Sequence, residues 1–301
     1  MPGQTLSQIR SLLAAAGLSP RHRFGQNFLI DLNLMRKLVE FAAVRDGDVV
    51  LEIGPGTGSL TELLLERGAR VIAVEIDVGL QEILRSRLGG EPNFTLIRGD
   101  ALAGKHAINA EALAALAAHV PSTGASRKLA ANLPYQIATP LLLEMLLAPL
   151  RLERLTCTIQ REVGERLVAG ADTDAYGPAS VIAQSLARVE IHAHLPPTAF
   201  WPKPGVDSVM VSLIPRPAGQ IDVPNVAEFV AFVRAAFLHR RKTLRRTARD
   251  LPHPDATRKA LIRAGVSDSQ RPETLSPDSW RALFRALWTE SQECASKQTG
   301  E

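Results

Sequence analysis

The stretch Asp48–Leu65, DVVLEIGPGTGSLTELLL, constrains the fold of this chain more than any other. Val49, Val50, Leu51 and Ile53 make an apolar run too short for a helix and closed by glycine, as in a strand of a parallel sheet buried on both faces. Gly54, Gly56 and Gly58 follow at alternate positions, and a helical pattern carried by Leu60, Leu63 and Leu64 begins at Thr57 or Gly58. Strand, glycine turn and helix together offer backbone N–H groups and a helix N-terminus to a ligand. The spacing is G-x-G-x-G rather than the dinucleotide G-x-G-x-x-G, with Glu52 two residues before it. On its own the turn serves either a ligand or only a tight passage from strand to helix.

The same alternation recurs along the chain. Leu6–Ala16 and Asn33–Ala43 read as helices, the second capped by Asp31 or Asn33, with the loop Gly25-Gln26-Asn27-Phe28-Leu29 between them. Arg70–Glu75 is the second strand, Val78–Leu88 its helix, and Phe94–Arg98 the third strand, ending at Gly99-Asp100. Gly79 interrupts that helix at a cost of about 1 kcal/mol relative to alanine. Ala101–Ser126 is alanine-rich, with a helical piece over Ala110–His119. Lys128–Ala131 is the fourth strand, Thr139–Leu147 a helix and Leu155–Gln160 the fifth strand. Helices at Glu162–Ala169 and Pro178–Leu186 then precede strands at Ala187–His194 and Ser208–Pro215, which, with no helix between them, point to an antiparallel pair at one edge. Pro215–Pro224 is a proline-bearing linker, and only helices follow from Val226. The expected architecture is α/β. A mostly parallel sheet domain takes residues 1–217, N-terminal helices included, a small all-helical domain 218–290, and a disordered tail 291–301.

At 301 residues, 46% hydrophobic and 22% charged, the chain has the length and balance of a globular protein with one large and one smaller domain. Cys157 and Cys294 are too few and too far apart for a disulfide scaffold or a zinc cluster, which fits a reducing cytoplasm. The apolar run Leu12–Leu18 is short and leads into Pro20, Arg21, His22 and Arg23, so it reads as an amphipathic helix rather than a signal segment. No run approaches membrane-spanning length. His192 and His194 lie two apart on one strand face with no cysteine or acid at ligand spacing, so no metal is expected. The net charge of +4 is unevenly spread. Residues 1–30 carry Arg10, Arg21 and Arg23 without an acid, and residues 234–249 carry Arg234, Arg240, Arg241, Lys242, Arg245, Arg246 and Arg249, again without one. A single basic run is ordinarily a solvated face; two acid-free segments tilt toward a polyanion partner.

Each polar candidate falls where a strand ends, which is where an open parallel sheet binds ligands. The glycine turn resembles the S-adenosylmethionine loop of Rossmann-like methyltransferases. Glu75, about 20 residues beyond the turn, is placed to accept both ribose hydroxyls, or is a solvated strand-end acid. Asp100 is placed to accept from an adenine amino group, or caps the segment after it. Asn132-Leu133-Pro134-Tyr135 is the most specific signal. The exocyclic nitrogen of adenine is a poor nucleophile because its lone pair is conjugated with the ring. The Asn132 side-chain oxygen and the Leu133 carbonyl can each accept one of its N–H groups and draw that lone pair out of the ring plane. Pro134 keeps Leu133 extended, which helps point that carbonyl into the site, and Tyr135 can stack on the base. No general base is required, because the methylated ammonium product loses its proton readily. Taken singly, Asn132 also reads as a capped turn and Tyr135 as a half-buried core aromatic.

That tetrapeptide, together with Gly25-Gln26-Asn27-Phe28-Leu29, Gln160-Arg161-Glu162-Val163, Tyr176-Gly177, the run Phe200 to Ser208 (FWPKPGVDS) and the basic segment Phe237 to Leu244, resembles the ribosomal RNA adenine dimethyltransferases of the KsgA type. The likeness runs from about Gly17 to Leu287 and implies a Rossmann-like S-adenosylmethionine-dependent methyltransferase sheet with a helical C-terminal domain. It implies cofactor contacts from Asn27, Leu29, Gly54, Gly56, Glu75, Asp100 and Asn132. It assigns the target base to Asn132, Leu133, Pro134 and Tyr135 with Phe200 on the other face, leaving Trp201 to packing. Arg21, Arg23, Arg240, Arg241, Lys242, Arg245 and Arg246 are the expected RNA contacts. The implied reaction adds two methyl groups to each of two adjacent adenosines near the 3′ end of small-subunit rRNA. It would take place in a pre-30S or 30S particle in the cytoplasm, carried out by a monomer with no membrane partner. The nearest alternative is an Erm-type enzyme acting on large-subunit rRNA. A DNA adenine methyltransferase would need a larger recognition region than follows Pro217, and an assembly factor with secondary catalysis is the reading from another class.

Overall fold

All five residues of the run Val49–Ile53 are buried, so the strand they form must be covered on both faces. The computed structural model describes residues 3–298 apart from 105–106, 122 and 252. In chain order its elements are α1 (Leu6–Ala15), β1 (Phe28–Leu29), α2 (Leu32–Phe41), β2 (Val49–Ile53), α3 (Ser59–Glu66), β3 (Arg70–Glu75), α4 (Val78–Leu88) and β4 (Phe94–Arg98). Then come α5 (Ala110–Ala118), β5 (Arg127–Asn132), α6 (Ala138–Leu147), β6 (Arg154–Gln160), α7 (Arg161–Val168), α8 (Pro178–Leu186), β7 (Ala187–Leu195), β8 (Phe200–Trp201) and β9 (Ser208–Pro215). The helices α9 (Ala218–Ile221), α10 (Val226–Phe237), α11 (Leu244–Thr247), α12 (Pro254–Arg263) and α13 (Pro277–Gln298) complete it.

The large sheet has the order β4-β3-β2-β5-β6-β9-β7. β2 pairs in parallel with β3 on one side and β5 on the other. The chain therefore moves outward from β2 through β3 to β4, then returns to lay β5 on the opposite flank. Such a reversal of strand order opens a crevice beyond the carboxyl ends of the two strands that flank it. The expected antiparallel pair is more interwoven than adjacency in sequence implied. β9 runs antiparallel to β6 and separates it from β7, which takes the edge. One face is packed by α2 and α3 through Met35, Leu38, Val39, Leu60, Leu63 and Leu64 against Val50, Val71 and Ala73. The cap of α2 is Asp31, whose side chain accepts from the N–H groups of Asn33 and Leu34. Gly79 has a packing reason, because a Cβ there would sit 2.6 Å from a methyl of Leu18.

The chain divides into two units, one of Met1–Gly164 with Val189–Pro215, the other of Glu165–Arg188 with Arg216–Glu301. This differs from the expected single cut at residue 217, because α8 groups with the C-terminal helices. Nearly every α8 residue is buried, including Val181, Ile182 and Leu186, and α10 and α13 pack on it. Phe229, Phe232, Trp280 and Phe284 form the aromatic centre of that unit, and the buried Tyr176 donates its hydroxyl hydrogen to the Leu275 carbonyl at 2.6 Å. The linker after Pro215 holds the short helix α9. The expected tail also differs. The segment after Ser291 carries neither glycine nor proline up to Gln298, and α13 runs on to that residue, while 299–301 lie outside the described residues.

Candidate active site

The crevice between β2 and β5 receives the glycine turn from one strand and Asn132 to Tyr135 from the other. Gly56 has φ +62°, and a Cβ on it would fall 2.9 Å from the Phe28 ring. Glycine is thus required there for conformation and for close approach. Gly54, with φ +67°, lets the ring of Pro134 lie where a Cβ would be 3.4 Å from its Cγ, which brings the two loops together. The N-cap of α3 is Gly58, which has no side chain to satisfy the helix end. Gln4 covers this end from outside, donating its backbone N–H to Ser59 Oγ (2.8 Å) and its side-chain N–H to the Thr57 carbonyl (3.0 Å), while Thr57 Oγ1 donates to Gln4 Oε1 (2.6 Å).

Glu75 closes β3 and is buried, with Oε2 accepting from Gly56 N–H at 3.2 Å and Oε1 from Asp77 N–H at 2.9 Å. Each oxygen keeps a second lone pair for a ligand hydroxyl. Burial pushes its carboxyl up to about 7 against these stabilising N–H contacts. Glu52, beneath the turn, is pushed by burial up to about 8, with Thr61 Oγ1 donating to it at 2.7 Å. For both acids the folded state holds the proton more tightly than the unfolded chain. The stability they confer is therefore full at acid pH and is lost as pH rises from about 4.5 through 7 to 8. The melting midpoint of the protein without ligand is expected to fall as pH is raised from 5 to 8, and Glu52→Gln should flatten that slope in a thermal-unfolding series. A slope unchanged in the variant would exclude Glu52 as its source.

Asp77 ties the first loop to the site. It caps α4 by accepting from Gly79 N–H (2.9 Å), accepts from Gln26 Nε2 (2.9 Å), and pairs with Arg21 at 3.3 Å. Asp100 is exposed at the rim and accepts from Leu102 N–H at 3.0 Å, so one carboxylate oxygen already shapes its own turn. Asn132 is the last residue of β5. Its Nδ2 donates to the Asn27 carbonyl at 2.8 Å, and Thr158 Oγ1 donates to its Oδ1. Tyr135 is half-buried with its hydroxyl 2.7 Å from the buried Ser208 Oγ, and burial raises its pKa.

Asn27, Leu29, Gly54, Gly56, Glu75, Asp100, Asn132, Leu133, Pro134 and Tyr135 line one cavity. Phe200 does not join them. It is 3% exposed and packs in the core with Met35 and Leu38, because β8 pairs with β1 in the register Leu29↔Phe200. The expected placement of Phe200 on a target base is therefore corrected to a core position. Trp201 packs as expected, 6.2 Å from the Phe28 ring with the Arg10 guanidinium 5.1 Å from its own. Ile9, Ile76 and Leu80 also line the cavity without having been marked in the sequence, since apolar residues there look like any core stripe.

The basic residues separate into tied and untied groups. Arg21 is held by Asp77, and Arg23 lies 4.6 Å over the Phe24 ring. Arg240 is drawn inward, donating to Glu273 at 2.5 Å and to the carbonyls of Thr173 and Asp174, and Arg245 lies 3.9 Å from Asp268. Arg241, Lys242 and Arg246 have no ion pair among the described residues. His192 stacks on Phe41 at 4.2 Å with Nε2 2.8 Å from Ser212 Oγ, a packing role, and no cluster of metal-binding side chains occurs among the described residues.

The family model for ribosomal RNA adenine dimethylases matches residues 17–288. The ribosomal RNA small subunit methyltransferase A of Pelotomaculum thermopropionicum is 41% identical over 91% of this chain and 94% of its own length. That of Phenylobacterium zucineum is 39% identical over 94% and 93%. Among solved structures, a dimethyladenosine transferase from Plasmodium falciparum shares the fold with TM-score 0.71 at 23% identity, covering 88% of this chain and 98% of that one. The 23S rRNA methyltransferase ErmE gives TM-score 0.60 at 25% identity, covering 87% and 99%.

Proposed function

The chain belongs to the ribosomal RNA adenine dimethylase family, and from that premise we propose that it dimethylates the N6 amino groups of two adjacent adenosines near the 3′ end of small-subunit rRNA. One observation carries the mechanistic reading: Asn132 to Tyr135 share a cavity wall with the glycine turn and Glu75, so the residues read as holding the methyl acceptor and those read as holding its donor face the same space. The residues present fit S-adenosylmethionine. Glu75 suits the ribose hydroxyls, Asp100 the adenine amino group, the close glycine backbone the methionine end, and the acidic lining a cation. When bound, it supplies an electrophilic methyl group on a sulfonium sulfur.

The work of this chain is to orient and polarise the acceptor. Asn132 Oδ1 and the Leu133 carbonyl each accept an N–H of the target amino group, turning its lone pair toward the methyl. Tyr135, steadied at its hydroxyl by Ser208, supplies a stacking face for a base flipped out of its helix. The proton left on the methylated nitrogen is acidic enough to pass to water. Small-subunit rRNA is favoured over the Erm-type target because relatives named for the small subunit are about 40% identical over more than nine-tenths of the chain, against 25% for ErmE.

No helix among the described residues is long and apolar enough to cross a membrane, and a ribosomal particle, pre-30S or 30S, is the expected partner. Incubation of small subunits lacking this modification with labelled cofactor should place label on adjacent adenosines of the terminal helix. Absence of label there sinks the assignment, and label in large-subunit rRNA would move it to the Erm type. Phosphate contacts fall to the untied cations. Replacing Arg241, Lys242 and Arg246 together by glutamine should reduce the slope of log K against log salt by about 2 to 3. Arg240→Gln should disturb the helical unit instead, since its guanidinium is already spent on Glu273. An unchanged salt slope in the triple variant would return that segment to a solvated face.

A further inference from the structure

The two ends of the Asn132 carboxamide have the same shape and opposite hydrogen-bonding character. Only the oxygen can accept from an amino group; the nitrogen in its place would set donor against donor. The Asn27 carbonyl, which can only accept, takes the Nδ2 hydrogen at 2.8 Å and so decides which end is nitrogen. One contact still leaves rotation about the Cβ–Cγ bond soft, because that torsion is broad for Asn. The second contact is at the other end, where the Thr158 hydroxyl donates to Oδ1.

We propose that Thr158 is a positioning residue for methyl transfer, its hydroxyl holding Asn132 Oδ1 in the plane from which that oxygen accepts the amino hydrogen of the target adenine. This role rests on the reading of Asn132 as the group that faces the target base. The parallel ladder places Thr158 beside Asn132, its register partner in β6, and the side chain is fully buried. Its carbonyl accepts the Leu133 N–H at 3.2 Å, so one residue anchors both the side-chain acceptor and the backbone that carries the second acceptor. Thr156, two residues earlier on the same face of the strand, spends its hydroxyl on Ser212 at 2.8 Å and takes no part. A hydroxyl buried in a central strand costs free energy unless it is bonded, and Asn132 is where this one is bonded. Donating to one lone pair of Oδ1 leaves the other for the substrate.

Thr158→Val keeps the shape and removes the hydroxyl, whereas Thr158→Ser keeps the hydroxyl. With unmethylated small subunits as substrate, kcat of the valine variant is expected to fall about tenfold, the scale of one lost hydrogen bond. KM for the subunit and the dissociation constant for S-adenosylmethionine should stay near the wild-type values, and the serine variant should recover most of the rate. A valine variant with wild-type kcat overturns the role of Thr158. So does a rate loss matched by lost cofactor affinity, or a serine variant as slow as the valine one, since either makes the position one of packing. Both failures are distinct from a wild-type protein that transfers no methyl to small subunits, which would overturn the functional reading itself and the role of Thr158 with it.

Discussion

Asn132→Ala is expected to slow methyl transfer on the order of a thousandfold, the scale seen when an enzyme loses a preorganised group that acts on the reacting centre. Asn132 is held at both ends of its carboxamide, so the protein has met the cost of orienting it before substrate arrives. Truncation removes an acceptor for the amino hydrogen and also leaves the Asn27 carbonyl and the Thr158 hydroxyl without their partner. RNA binding should survive, because the cations expected to meet phosphate lie elsewhere in the chain. Single-turnover transfer measured beside RNA affinity checks this, and a loss of RNA binding equal to the loss of rate would make Asn132 structural.

Lys128→Ala is expected to lower stability by about 3 to 5 kcal/mol, as when one member of a buried ion pair is removed. Lys128 Nζ lies 2.7 Å from Asp48 Oδ2, both side chains are fully buried, and the same ammonium donates to the Ala43 carbonyl at 2.5 Å. Asp48 also accepts from the backbone N–H groups of Arg45 and Ser126, at 2.8 Å each, so the carboxylate is fixed in place and cannot follow the missing cation. Its position gives the pair its importance. Asp48 immediately precedes β2 and Lys128 is the second residue of β5, so the bridge joins the amino ends of the two strands whose carboxyl ends carry the site. Denaturant unfolding measures the effect, and adding Asp48→Asn to the lysine variant should return part of the loss. A single variant within about 0.5 kcal/mol of wild type would mean that the bridge contributes only what a surface pair does.

The strands that build the site were legible because buried parallel strands are written as short unbroken apolar runs, and the residues proposed for cofactor and acceptor, which line one cavity, could be singled out because they sit at the ends of those runs. Phe200 was not. FWPKPG reads the same whichever aromatic faces the cavity, and what buries Phe200 is a register with Leu29, a residue far earlier in the chain. The unit boundary failed for a related reason: α8 looks like any apolar helix, and its partners in α10 and α13 come much later. Arg240 was read as a surface charge since Glu273, which draws it inward, is remote in sequence. Asp77 and Ser208 were in view, the one beside an expected cofactor residue and the other inside a quoted motif, yet a hydrogen bond to Gln26 or Tyr135 leaves no mark on local pattern. Thr158 carried no signal, because a threonine in a strand is ordinary.

The two-residue pairing of β1 with β8 has a consequence for the order in which the protein becomes competent. Phe28 and Leu29 line the cavity and are laid down early in synthesis, but their strand partner, Phe200-Trp201, is translated after every residue that lines it. Contacts between residues so distant in sequence are closed late in folding. A chain still on its ribosome thus holds the glycine turn, Glu75 and Asn132 before the pairing that backs Phe28 and Leu29 can form.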